Sequence, residues 1–146
     1  MTRIEKSIEI NASPEKVWPL IAHERIPEWF ELFKKVESTS KEKDNVGATH
    51  HMTSEIAGVA RAEWDGETTE WIENKMYAWR SIGGHFTGFG SMILSPTNTG
   101  TKFSMMMDYE LPYSVLGKMI DKLRVHRVID NSINEGLKKL KDMLEK

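Results

Sequence analysis

The feature that most constrains this chain is a change of hydrophobic period two-thirds of the way along. Up to Pro112 the apolar residues alternate with polar ones or form short runs bounded by turn residues. From Tyr113 they fall three or four positions apart, or at sums of those steps. Met119, Leu123, Ile133, Leu137, Leu140 and Leu144 make one stripe on a helix of about 30 residues, and the charges of "KKLKDMLEK" cover its other face. Gly136 interrupts that helix at a cost of about 1 kcal/mol. Many strands precede it, and they must bury one face. No other segment is long enough to cover them.

The strands can be read one by one. In "RIEKSIEI", Ile4, Lys6, Ile8 and Ile10 share one face and Arg3, Glu5, Ser7 and Glu9 the other, the pattern of a half-buried strand. "NASPEKVWPLIAH" opens a helix, with Ser13 as N-cap, Pro14 at the first helical position and Glu15 near the positive end. Pro19 keeps that helix short, and Pro27 predicts a second short helix, "PEWFELF". Six strands follow: "FKKVESTSK", "GATHHMTSEI", "VARAEWDGETTEWIE", "KMYAWRSI", "FTGFGSMILS" and "TKFSMMMDYELP". The polar turn "EKDNVG", Gly58, Asn74-Lys75, Gly83-Gly84 and "PTNTG" separate them. Short connections imply an antiparallel meander. The expected architecture over residues 1–146 is one α+β domain: a seven-stranded antiparallel curved sheet around a long C-terminal helix, with two short helices after the first strand. A bent sheet and a straight helix cannot follow each other everywhere, so a wedge between them is the natural ligand site.

Composition narrows the function classes. Hydrophobic residues make up 39% and charged residues 29%, which suits neither a disordered nor a membrane chain. The net charge of -2 offers no basic surplus for nucleic acid or an anionic membrane. The absence of cysteine removes disulfides, thiolate nucleophiles, iron–sulfur clusters and cysteine zinc sites, and fits a reducing compartment. "MTRIEKSIEI" carries charge through any apolar run, and no stretch approaches the roughly 20 apolar residues of a bilayer span. A cytoplasmic location without integral membrane segments is the expectation; the oligomeric state is left open.

Several residues are candidates for chemistry. In "TKFSMMMDYELP", Phe103, Met105, Met107, Tyr109 and Leu111 share a face, and Lys102, Ser104, Met106, Asp108 and Glu110 the opposite, more polar one. Met105 and Met107 are therefore expected to point at the helix and Met106 away from it. Methionine suits irregular gaps, so these two serve as core or as a pliable cavity wall. His126 lies on the apolar stripe with Asp130 four residues on as an orienting acceptor, and is read either as an edge residue or as a polar anchor or acid/base. Of five tryptophans, Trp64 and Trp79 are candidate lining residues whose facing bulges leave open, and Trp29 lies beside Phe30 in the segment expected to form the second short helix. Arg61, Glu63 and Asp65 share one face, read as a solvated outer surface; were it inward, Arg61 and Glu63 would polarise a carbonyl. His50 and His51 are adjacent in a strand and point to opposite faces. No HExxH spacing exists, and neither a metal nor a cofactor is expected. "GGHFTGFG" reads as a turn and then a thin strand that a ligand or the helix approaches, not a phosphate loop, and no serine sits in a G-x-S-x-G elbow.

Four segments, taken together, resemble the START-like or SRPBCC superfamily with its helix-grip fold, in particular the polyketide cyclase/dehydrase and coenzyme-Q-binding-like branch. They are "IEINASPEKVWPLIAHERIPEWF", "EWDGETTEWIENKMYAWRS", "GTKFSMMMDYELP" and "GKMIDKL". The resemblance implies a hydrophobic cavity between helix and sheet but no single activity: members bind lipids, quinones, hormones or polyketides, and only some catalyse. It also implies that the short helices close one end of the cavity, which puts Trp29 near its mouth. The expected function is binding of a lipid, quinone or polyketide-like molecule, with Trp29, Trp64, Trp79, Met105, Met107, Tyr109, Met119, Leu123 and His126 at the site. Two alternatives stand beside it. One is a polyketide cyclase or dehydratase using His126, Tyr109 and Arg61. The other is an interaction module of the kind that modulates a chaperone, which needs an exposed apolar patch and a filled interior.

Overall fold

The computed structural model describes residues 2–21, 23–56, 60–110 and 122–146. The alternating N-terminal run forms strand β1 (Thr2–Ile10), with Ile4 and Ile10 buried and Arg3, Glu5 and Glu9 exposed. Helix α1 (Pro14–Ile21) follows, its first bonds running from the Lys16 and Val17 N–H groups to the Ser13 carbonyl. After a 3-10 helix (His23–Glu28) come β2 (Phe33–Ser38), β3 (Thr49–Ile56), β4 (Ala60–Ile72), β5 (Met76–Gly84), β6 (Thr87–Pro96) and β7 (Thr101–Glu110). Helix α2 is described over Lys122–Leu144.

The strands form one antiparallel sheet in the order β1-β7-β6-β5-β4-β3-β2. Consecutive strands pair as a meander, and β1 closes onto β7 from Thr2↔Tyr109 to Ile10↔Thr101. Asn74, at φ 66°, makes the tight β4–β5 turn at the expected separator. The strand β4 is long because two bulges, at Asp65/Gly66 and Thr68/Glu70, bend it around the interior. The separator Gly58 and the first part of the expected long helix, to residue 121, lie outside the described residues.

One expectation is corrected. "PEWFELF" is not a helix; the 3-10 helix begins at His23, holds Pro27 inside it and ends at Glu28. The helix stops because Trp29 turns inward, where its indole N–H donates to the Leu20 carbonyl at 2.7 Å, and because Phe33 is taken into β2. Past it the Trp29 and Phe30 N–H groups donate to the Ile26 carbonyl, and the Phe33 N–H donates to the Phe30 carbonyl.

The sheet is curved, and α2 lies against its concave face. Val125, Ile129, Ile133, Leu137 and Leu140 form the buried stripe, opposite Ile4, Phe103, Met105 and Met107. Each large side chain buried here contributes about 1.5–3 kcal/mol. The polar ties between α2 and β1 are Lys6–Asp130 at 3.1 Å, the Lys141 ammonium donating to the Glu9 carbonyl at 2.7 Å, and the Asn11 N–H donating to Glu145 at 2.8 Å. They are largely solvated and together contribute far less than the stripe, at up to about 1 kcal/mol for an exposed pair. They set where α2 sits; the apolar stripe keeps it there.

Gly136 has a specific reason to be glycine. A Cβ at this position would lie 3.1 Å from the Trp29 carbonyl oxygen and 3.5 Å from the Phe30 Cα, so its absence lets α2 seat against the Trp29–Phe30 turn. Gly136→Leu is expected to destabilise the fold by about 1–3 kcal/mol, read by urea unfolding, because the added side chain meets backbone that cannot yield. A variant as stable as the parent would show that α2 is not held at that distance.

Candidate functional site

The interior space lies between α2 and the β2–β4 side of the sheet. Leu32, Phe33, Ser54, Ala62, Trp64, Phe86, Met107 and Ile129 line it. Between them only about 20 Å³ is wide enough to seat the centre of a water molecule. That is room for roughly one water. Every lining side chain except Ser54 is apolar, so the space is dry in character and nearly closed in this state.

Its tightness has a cause in the strands. The thin stretch of β6, expected from its glycines to leave room for a ligand or the helix, has a neighbouring side chain in part of that room. At Gly90 a Cβ would lie 2.6 Å from the Trp79 ring, so the indole of the neighbouring strand occupies that room. Trp79 then packs 5.1 Å from Trp64, Trp64 stacks on Phe86 at 4.8 Å, and Phe86 stacks on Tyr109 at 5.9 Å. The bulges that left the tryptophans' facing open turn both inward. Met105 and Met107 are buried and point at α2, with Met107 only 1% exposed, while Met106 borders a shallow groove on the outer face.

A polar group sits at the margin of this aromatic row. The Tyr109 hydroxyl lies 3.2 Å from His126 Nδ1. Burial, and after it the negative charge of Asp130, push the Tyr109 phenol up to about 12. A phenol held protonated can donate this bond to a bare Nδ1 or accept it from an Nδ1–H. Asp130 does not orient His126 by a direct bond; its carboxylate is engaged by Lys6, which reaches inward from β1, and by the Asn134 amide at 3.4 Å.

Other candidates lie elsewhere. Trp29 is deep in the core, stacked on Phe30 at 5.6 Å with its N–H committed to Leu20, and is not among the side chains that line the void. Arg61 is two-thirds exposed on the outer face beside Glu63, away from the interior. There it joins a cluster with His51, whose Nδ1 lies 2.9 Å from Asp65 and Nε2 3.4 Å from Glu63. The bond to Asp65 raises the His51 pKa above its ordinary value despite some desolvation. His50, its neighbour, points inward and is buried, 3.4 Å from the Tyr77 hydroxyl. Among the described residues no three His, Asp or Glu side chains converge where a metal ion would be held. Met119 lies outside the described residues, as does the side chain of Leu123.

The void's other lining residues were not singled out from sequence, though signals for some existed. Ser54 and Ala62 are directly opposite in register, a pair of small residues on inward positions where their strands otherwise carry Met52 and Trp64. Ile129 extends the helical stripe one step back from Ile133. Phe86 sits in a loop after two glycines, where neither period applies.

Comparison with known proteins agrees with this geometry. A family model described as "Polyketide cyclase / dehydrase and lipid transport" matches residues 1–145. An uncharacterized 17.2 kDa protein of Streptomyces lincolnensis is 32% identical over 130 residues, covering 84% of this chain and 78% of its own. A START superfamily protein of Mycobacterium smegmatis superposes with a TM-score of 0.77 at 18% identity, covering 98% of this chain and 97% of that one. An aromatase/cyclase from a Streptomyces species gives a TM-score of 0.78 at 14% identity, covering 99% and 93%. At such identities the two structures speak for the fold alone, and the family match carries the assignment. The chain belongs to the polyketide cyclase/dehydrase and lipid transport family, on a START-like helix-grip fold.

Proposed function

We propose that this protein binds an apolar small molecule, of the lipid, quinone or polyketide-like kind, between the sheet and α2. The observation that carries the reading is the apolar void walled by Trp64, Phe86, Met107 and Ile129, which lies at the place where the fold leaves helix and sheet apart. The ligand enlarges a space that is nearly closed without it. Met107 is suited to yield, being unbranched with three rotatable bonds. Binding gains about 25 cal/mol per Å² of apolar surface removed from water, less the cost of moving these side chains. Met105, Trp79 and Tyr109 stand behind the first wall and limit how far it opens.

The Tyr109–His126 pair favours a second reading, a cyclase or dehydratase acting in the same cavity. A phenol kept protonated and an imidazole beside it make a proton donor and acceptor at the margin of an apolar space. A third observation favours the interaction module: Ile82, Phe89 and Ile93 are exposed large apolar residues on β5 and β6, and the interior is nearly filled.

Three measurements separate these. Native mass spectrometry of freshly purified protein, and titration with the fluorescent apolar amine N-phenyl-naphthylamine, are expected to reveal uptake that Met107→Trp abolishes while the circular dichroism spectrum is kept. Undiminished uptake by a folded Met107→Trp variant removes the cavity as the site, and no uptake by the parent leaves the outer face as the better reading. Turnover of a poly-β-ketone thioester, lost in His126→Ala with probe binding retained, would establish the enzyme reading, whereas binding without turnover in the parent excludes it for that substrate. The third test is alkaline unfolding. Tyrosine in the unfolded chain ionises near pH 10, and Tyr109 in the folded chain near 12. The raised value stabilises the fold fully below pH 10, and that contribution is lost as pH climbs through the folded value. Unfolding free energy is therefore expected to fall between about pH 10 and 12, less steeply in Tyr109→Phe. Equal slopes would mean the phenol is not held protonated.

A further inference from the structure

Resting on the binding reading, the geometry points to a route of entry: the ligand passes from a surface groove beside α2 into the interior through a gate made by the Leu32 side chain. The groove, of about 400 Å³, opens between α2 and the turn leading into β2, with Glu31, Leu32, Glu55, Val128, Ser132 and Glu135 among its walls. The interior void begins directly behind it. Leu32 borders both spaces. Two further elements contribute one residue to each side in succession: Ser54 faces the void and Glu55 the groove, Ile129 the void and Val128 the groove. The barrier between outside and inside is thus one side chain thick, and it is apolar where it must be crossed.

The frame around this barrier is fixed while its centre is not. The Leu32 carbonyl accepts from the Glu55 N–H at 3.1 Å, so the turn's backbone is tied to β3. On the helix side, Gly136 seats α2 against the Trp29 carbonyl and Asp130 is held by Lys6. Both backbones are thus tied to their neighbours. The Leu32 side chain has only apolar contacts to break, and it is 7% exposed, already at the surface of the groove. Side-chain rotation is the motion left, and it is the fast kind. A gate of this type alters how quickly the ligand comes and goes and leaves affinity unchanged.

The test uses kinetics. The chain has no cysteine, so Glu31→Cys and Ser132→Cys together give a uniquely addressable pair across the groove. Bridging them with a short bis-maleimide is expected to slow association of N-phenyl-naphthylamine at least about tenfold, and to trap probe loaded before bridging to the same degree. The unbridged pair exchanges probe at the parental rate. Ser132→Trp, which adds bulk in the groove and none in the void, is expected to slow association and dissociation alike with Kd unchanged. A bridged protein, or Ser132→Trp, that exchanges probe as fast as the parent overturns the route while leaving the cavity reading intact. A parent that takes up no probe removes both, whereas uptake that Met107→Trp abolishes but bridging does not slow removes the route alone.

Discussion

A straight helix laid in the hollow of a bent sheet touches it along a line, and what happens on either side of that line decides the rest of this molecule. Along the line the five residues from Val125 to Leu140 are buried, and of the strands it is β1 that the helix approaches most. Toward β1 the gap is spanned by polar ties, Lys6–Asp130 and Lys141 to the Glu9 carbonyl. Toward β2 and β3 no polar tie to α2 is found among the described residues, and the interior void and the surface groove both lie on that side. The asymmetry follows from chain order. β1 pairs with the last strand, β7, which puts the sheet edge nearest the helix on one side, while the turn after the 3-10 helix has to fill the other side with Trp29, Phe30 and Leu32.

Inside, space and bulk are traded between neighbouring strands. The glycine at 90 makes room that Trp79 fills, and the glycine at 66 makes room for His50, whose Nε2 would lie 2.7 Å from an added Cβ. Each missing side chain is matched by a large one next door. The capacity to hold a guest therefore does not reside in standing volume. It resides in which of the close-packed groups can change rotamer at low cost, and among the void's walls that is Met107 before Trp64 or Phe33, whose rings are braced by one another at 6.2 Å.

Much of this was legible in the residues. Alternation in the first and last strands, and turn residues bounding the runs between them, located all seven, and "TKFSMMMDYE" could be assigned faces because four of five alternate positions are polar. The long helix was legible from its stripe, and the fold family from the order of four segments. Legibility ended where structure depends on what a residue meets across space. The reach of Trp29 toward Leu20, which ends the second helix, leaves no trace in the spacing of "PEWFELF". The role of Gly136 reads as a local cost in sequence and as a seat for the helix once the Trp29 carbonyl is opposite it. The void's own walls come from five elements, a turn and a loop, and only a register pairing such as Ser54 with Ala62 reveals that small meets small.

The open strand order leaves β1 and β2 as the two borders of the sheet, each with a row of backbone groups that has no neighbouring strand. Both borders are studded with charge: Arg3, Glu5 and Glu9 along one, Lys34, Lys35 and Glu37 along the other. Stacking a second molecule edge to edge would bring these groups into mutual opposition and strip their hydration. Charge along both free rims of a sheet that does not close on itself discourages a strand of a second copy from pairing there.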